Sequence, residues 1–136
     1  TGQFSTENGM WRGPGKDPLG SPGYRGIKRD VIMLSEHLSR AGYHTGCFGK
    51  WHLGDQPEFM PLAQGFDTYF GIPYSNDMWP GNKRGNPVTN RGPYEPLPIM
   101  LQNKAVAHIS DDYDQALLAE VITDEAIKFI RKNKFK

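Results

Sequence analysis

The feature that most limits what this chain can fold into lies near its C-terminal end. From Ser110 onward, Leu117, Leu118, Val121, Ile122, Ala126, Phe129 and Ile130 recur at helical spacing and form one broad apolar stripe. Asp111, Asp112 and Asp114 fill the first turn, whereas Lys128, Arg131, Lys132 and Lys134 crowd the far end. Acids at the start and bases at the end both complement the helix dipole. Ser110 is the expected N-cap. A helix with this much apolar surface needs a sheet or a second helix to cover it. The basic run ending at Lys136 reads as a helix end that feeds a next strand lying outside this sequence.

A second constraint comes from residues 30–54. Asp30 is the expected cap of a helix whose apolar stripe is Val31, Leu34, Leu38 and Ala41, with Glu36, His37 and Arg40 on the polar face. Gly42 stands where a left-handed residue ends a helix. Tyr43 to Phe48 then reads as a strand, and Gly49 to Gly54 as a loop bracketed by glycines. Phe66 to Ile72, closed by Pro73, reads as another short strand. A helix, a glycine stop and a strand make half of an α/β unit, so the expected class is α/β.

The rest is turn-rich. Gly 16 and Pro 11 make up about a fifth of the 136 residues, against roughly 12% in average proteins. Residues 1–29 carry seven glycines and three prolines that break any period, yet Phe4, Trp11, Leu19 and Tyr24 are spread through them. That segment reads as a loop lying on something larger, with disorder as the alternative. A long loop is also expected from Asn76 to Pro98. There are no internal repeats, and 136 residues set one domain as the upper bound. The formal net charge is +1, from 16 basic and 15 acidic residues. That balance argues against nucleic-acid or membrane partners held by bulk electrostatics. No stretch approaches the roughly 20 apolar residues of a membrane span. Cys47 stands alone, which excludes an intrachain disulfide framework and a multi-cysteine zinc site.

The chemistry centres on Lys50 and His52. In an extended loop, residues two apart point the same way, so an ammonium and an imidazole would converge on one point. Flanking glycines let a backbone approach a ligand closely. Lysine offers three donors and a positive charge, and histidine can exchange a proton near neutral pH. Together they suit an anionic group whose charge changes during a reaction. By itself, a Lys-X-His also fits a solvated loop.

The longer string is more specific. Gly42-Tyr43-His44-Thr45-Gly46-Cys47-Phe48-Gly49-Lys50-Trp51-His52-Leu53-Gly54 closely resembles the second signature of the type I sulfatases. Pro61-Leu62-Ala63-Gln64-Gly65-Phe66-Asp67 and Gly71-Ile72-Pro73-Tyr74-Ser75-Asn76-Asp77 resemble the segments that follow it in arylsulfatase-type members. Thr123-Asp124-Glu125-Ala126 with Phe129-Ile130 is similar to a helix preceding a central strand of that family. The resemblance covers most of residues 30–136, and 78–110 is its least diagnostic part.

The resemblance implies part of an alkaline-phosphatase-like α/β/α sandwich: residues 1–136 as a partial catalytic domain, truncated at both ends. It implies hydrolysis of aryl or carbohydrate sulfate esters through a sulfated enzyme. Lys50 would donate to the sulfate and to the nucleophile's hydroxyl, His52 would bond that hydroxyl and assist sulfate release, and Ser75 would contact the sulfate. The family's nucleophile is a formylglycine made from the cysteine, or serine, of a C-x-P-S-R signature that ends in Thr-Gly. Thr1-Gly2 would be the tail of that signature, placing the nucleophile upstream of residue 1. Cys47 lacks that context and reads as a small buried apolar residue. The family's Ca²⁺ ligands, an Asp pair upstream and an Asp/Asn pair downstream, cannot be placed here, so no metal ligand is assigned. Asp111-Asp112 reads as dipole complementation rather than a metal dyad. By family habit the enzyme would be periplasmic, extracellular or lysosomal.

Other residues divide between bland and functional readings. His44 reads as a partly buried polar residue of the strand, His37 as solvated, and His108 has no assigned role. Trp51 reads as a packing residue that fixes the loop, with substrate stacking as its rival. Asn76 stands where some animal members carry histidine, while Asp77, Trp79, Asn82 and Arg84 would line a substrate rim; Arg84 and Arg91 equally suit a solvated surface. Two rival functions stand beside the sulfatase. One is a phosphonate or phosphate monoester hydrolase of the same superfamily. The other is a non-catalytic pseudoenzyme keeping an anion pocket at Lys50 and His52.

Overall fold

The computed structural model describes residues 1–10, 26–27, 30–81 and 94–134. Asn82, Arg84 and Arg91 lie outside the described residues, as does most of the glycine-rich N-terminal segment. Within them the elements run α1 (Leu34–Arg40), β1 (Gly46–Lys50), a short 3-10 helix (Pro61–Gln64), β2 (Thr68–Ile72), β3 (Leu97–Leu101), β4 (Lys104–Ile109) and α2 (Asp112–Asn133). The four strands form one sheet in sequence order. β1 and β2 are parallel, from Gly46 opposite Thr68 to Lys50 opposite Ile72. The β2–β3 and β3–β4 pairs are antiparallel, with a bulge at Ile99/Met100.

The expected class is correct, and several boundaries are not. α1 starts three residues later than Asp30 would dictate, because Glu36 reaches back to accept from the Met33 amide at 2.7 Å. Val31 and Met33 are therefore buried in an extended lead-in, while Leu34 and Ala41, expected in the stripe, are exposed. Ser35 is the buried helical residue instead, its hydroxyl donating to the Gln64 carbonyl. The glycine stop holds. Gly42 has φ +87°. Its amide donates to Ser39 and that of Tyr43 to Leu38, both at 3.0 Å, which is the paired bonding of a Schellman ending.

β1 begins and ends later than expected, so Lys50 closes a strand rather than opening a loop. Gly49 permits this. It faces Gly71 across the ladder, and a Cβ on Gly71 would sit 1.9 Å from the Gly49 carbonyl oxygen. β3 and β4 occupy ground read as loop or left unassigned. Pro98 argues against a central strand, but β2 pairs with β3 only at Met100 and Leu101. Pro98 thus has a strand neighbour, His108 of β4, on one side alone.

Each face of the sheet has its own core. On one, Ile27, Val31, Met33, Trp51, Met60 and Tyr69 cluster, with Cys47 packed against them. On the other, Ile72, Trp79, Leu97 and Ile109 meet Leu118 of α2. Alternation along the parallel strands explains the split, since Cys47 and Tyr69 point one way while Phe48 turns to Phe129 of α2, with centroids 5.4 Å apart. α2 is capped by Asp111 rather than Ser110. The Asp111 carboxylate accepts from the Asp114 amide at 2.8 Å, and Asp114 accepts from the Ser110 amide at 3.0 Å. No helix among the described residues is long and apolar enough to cross a membrane.

Candidate functional site at the strand ends

Parallel strands deliver their C-terminal ends to one edge of a sheet, and open α/β sheets bind ligands there. β1 ends at Lys50 and β2 at Ile72, which are direct partners. The pairing runs on past both strands. The Trp51 amide donates to the Ile72 carbonyl at 3.0 Å and the His52 amide to Pro73 at 2.9 Å. Ser75 follows two residues later, in a turn where its carbonyl accepts from the Met78 amide at 3.0 Å. All three sequence-derived site residues therefore emerge at the same edge. Lys50 is exposed, and His52 and Ser75 are half-buried.

One expectation about this geometry needs correction. Simple strand alternation does not carry through His52, whose φ is +58°. A non-glycine residue held there costs about 1–3 kcal/mol and persists where the surroundings over-determine it. The glycine that closes the loop also has a packing role. Gly54 has φ +117°, and a Cβ there would lie 2.6 Å from the Gly26 Cα and from Phe59.

Neighbouring residues sort cleanly. Trp51 is buried, its indole donating to the Phe59 carbonyl at 2.9 Å, so the packing reading holds and substrate stacking does not. Trp79, expected at a substrate rim, is also buried, against Ile72 and Leu97. Tyr74 beside Ser75 has its hydroxyl pushed up to about 12, by burial first and then by Asp55. Two tertiary features were invisible in the sequence. Gln115, in the first turns of α2, donates to the Asn76 carbonyl at 3.0 Å and ties the helix to the Ser75 turn. The left-handed His52 is the other, since nothing in the local sequence signals it.

His44 lies at the opposite end of β1. It is exposed, not partly buried as expected, and stacks on Phe129 with centroids 5.6 Å apart. Its Nδ1 is 3.5 Å from the Asp67 carboxylate. A cleft of about 720 Å³ bounded by Tyr43, His44 and Asp67 opens there, away from Lys50. His37 is exposed on α1 as expected, and His108 is exposed on β4.

A family model described as Sulfatase matches residues 1–136. The chain belongs to the sulfatase family. Human arylsulfatase G is 44% identical over 78 residues, covering 57% of this chain and 14% of that protein. Rat N-acetylgalactosamine-6-sulfatase is 36% identical over 114 residues, covering 78% of this chain and 20% of that protein. This sulfatase chain thus spans from 14% to 20% of the length of those two relatives. The crystal structure of Ps i-CgsB in complex with k-i-k-neocarrahexaose superposes with a TM-score of 0.60 at 26% identity, covering 88% of this chain and 28% of that one. The α/β class and the alkaline-phosphatase-like architecture follow from these likenesses.

Neither group that the sulfatase family implies fits the residues described. No cluster of three or more His, Cys, Asp or Glu among them is placed to hold a cation. Asp111 and Asp114 are committed to capping α2. Cys47 packs against the apolar core, and burial raises its thiol to about 11, which disfavours the thiolate that a nucleophile needs.

Proposed function

We propose that this chain forms part of a larger sulfatase that hydrolyses sulfate esters of aryl or carbohydrate alcohols. The observation that carries the reading is the parallel register of β1 and β2, which delivers Lys50, His52 and Ser75 to one sheet edge. The names of the relatives, arylsulfatase and N-acetylgalactosamine-6-sulfatase, support sulfate esters as the substrate class. The oligosaccharide bound by Ps i-CgsB supports a glycan among them.

In this reading the Lys50 ammonium neutralises charge that develops on the sulfate oxygens, and the Ser75 hydroxyl donates to one of them. The His52 imidazole holds and moves the proton at the oxygen that bears the sulfate. A formylglycine and a Ca²⁺ would supply the nucleophile and further charge neutralisation, both from residues outside those described.

The test uses the full-length protein with matched aryl sulfate and aryl phosphate monoesters. Sulfate-ester turnover with a higher kcat/KM than the phosphate supports the sulfatase. Preference for the phosphate establishes the monoester-hydrolase rival. Binding of inorganic sulfate without turnover of either ester establishes the pseudoenzyme. A sequence upstream of Thr1 with no Cys or Ser in a C/S-x-P-S-R context would sink the catalytic reading before any kinetics.

A further inference from the structure

Trp51 joins Lys50 and His52, two of the three residues on which the proposed chemistry depends, and three other parts of the chain grip it. Its indole N–H donates to the Phe59 carbonyl at 2.9 Å. Its ring meets Phe66 edge-on, with centroids 5.9 Å apart and planes at 89°. Its own amide and that of His52 continue the β1–β2 ladder onto Ile72 and Pro73. The residue is only 8% exposed. Directly after it, His52 takes φ +58°, one of two positive values at non-glycine positions among the described residues.

We infer that Trp51 is a positioning residue for His52, acting through the indole–Phe59 hydrogen bond. Packing alone gives the ring little direction, because its buried neighbours are the apolar side chains of Ile27, Val31, Met33 and Met60 together with Tyr69. The hydrogen bond adds what packing lacks, which is direction. It fixes the rotation of the ring, and through the shared Cα the heading of the peptide that leads into His52. That restraint adds to the His52–Pro73 amide bond in holding a left-handed backbone against the commoner extended or right-handed regions. Lys50 is held independently, as the last paired residue of β1. Loss of the indole donor should therefore disturb the imidazole and spare the ammonium. A displacement of about 1 Å at a reacting group costs roughly 10²-fold in rate.

This inference rests on the sulfatase reading, and its test keeps the two apart. In the full-length protein, Trp51→Phe retains an aromatic ring and removes the donor. The expected result is a 10- to 100-fold fall in kcat, with KM for an aryl sulfate and Ki for inorganic sulfate each within threefold. Amide hydrogen exchange at His52 should be at least tenfold faster than in the wild type. Phe66→Leu, which keeps the indole bond and weakens the packing, serves as the control. It should lower Tm as much as Trp51→Phe while leaving kcat within threefold. Parallel losses of kcat and Tm in the two variants would reduce Trp51 to a core residue and overturn the inference. So would unchanged exchange at His52 in Trp51→Phe. A wild-type protein that turns over no sulfate ester would sink the functional reading alone, because the exchange rates still decide whether Trp51 holds His52.

Discussion

His52 carries the strongest prediction at the scale of single residues, because sequence and backbone single it out independently. Its motif position implies contact with the reacting group, and its left-handed φ of +58° shows the chain held in an unfavourable state at that point. In the full-length protein, His52→Ala should lower kcat for an aryl sulfate by at least about 10²-fold, the scale of a lost general acid–base group. Near-normal turnover would remove His52 from the mechanism. Cys47 illustrates the opposite case, a reactive side chain disarmed by its surroundings. Packed beside Tyr69 and the other core residues, its thiol is raised to about 11, against about 8.5 for a free cysteine. At pH 8 iodoacetamide should modify it about 100-fold more slowly than an unfolded control peptide. Labelling at the free-thiol rate would mean that Cys47 is not packed as described.

Secondary elements were legible wherever a local rule decides them. Gly42 was readable as a helix stop because the Schellman ending needs a left-handed residue at that place, and glycine adopts it without a steric cost. Gly42→Ala should cost about 1–2 kcal/mol, read as a lower urea midpoint with an unchanged slope. The long C-terminal helix was readable from its stripe and its charged ends, although Asp111 rather than Ser110 caps it. What escaped was whatever depends on distant partners. β3 and β4 were hidden by Pro98, which is tolerable only because β2 pairing stops two residues away. Leu34 was misplaced because Glu36 re-phases α1 by capping Met33. The junction below β1 is likewise tertiary: Thr45 donates to Asp67 from its amide at 2.7 Å and its hydroxyl at 2.9 Å. Those bonds, and then the nearby His44, hold the Asp67 carboxyl below its ordinary range. A depressed folded-state value stabilises the fold above the unfolded carboxylate pKa of about 3.9, and the benefit is lost as pH falls through the folded value. The Tm gap between wild type and Asp67→Asn should therefore be open at pH 6 and shrink below about pH 4. A gap independent of pH would show that the carboxylate charge contributes nothing there.

At the scale of the whole molecule, the sheet edge is assembled but the chemistry needs more than it holds. The fold brings Lys50, His52 and Ser75 to one edge, and the Gly49–Gly71 contact and the Gln115–Asn76 bond support that edge from beneath and from α2. The apolar side chains of Leu117, Ile127 and Ile130 on α2 remain partly exposed among the described residues, at 37%, 37% and 62%. An ammonium, an imidazole and a hydroxyl can bind and polarise a sulfate ester, but none of them is an activated nucleophile. The raised thiol pKa of Cys47 disfavours it as that nucleophile, and Asp111 and Asp114 are spent on the α2 cap. Residues 1–136 expressed by themselves should therefore show no sulfate-ester turnover above the buffer rate, whereas the full-length protein should turn over the same ester readily. The comparison is informative only at matched concentration and with a readout of folding, since a poorly folded chain is inactive for a trivial reason. Far-UV circular dichroism with the helix content of α1 and α2 supplies that readout. Robust hydrolysis by the folded 136-residue chain would overturn the division of labour proposed here, by requiring a nucleophile within it.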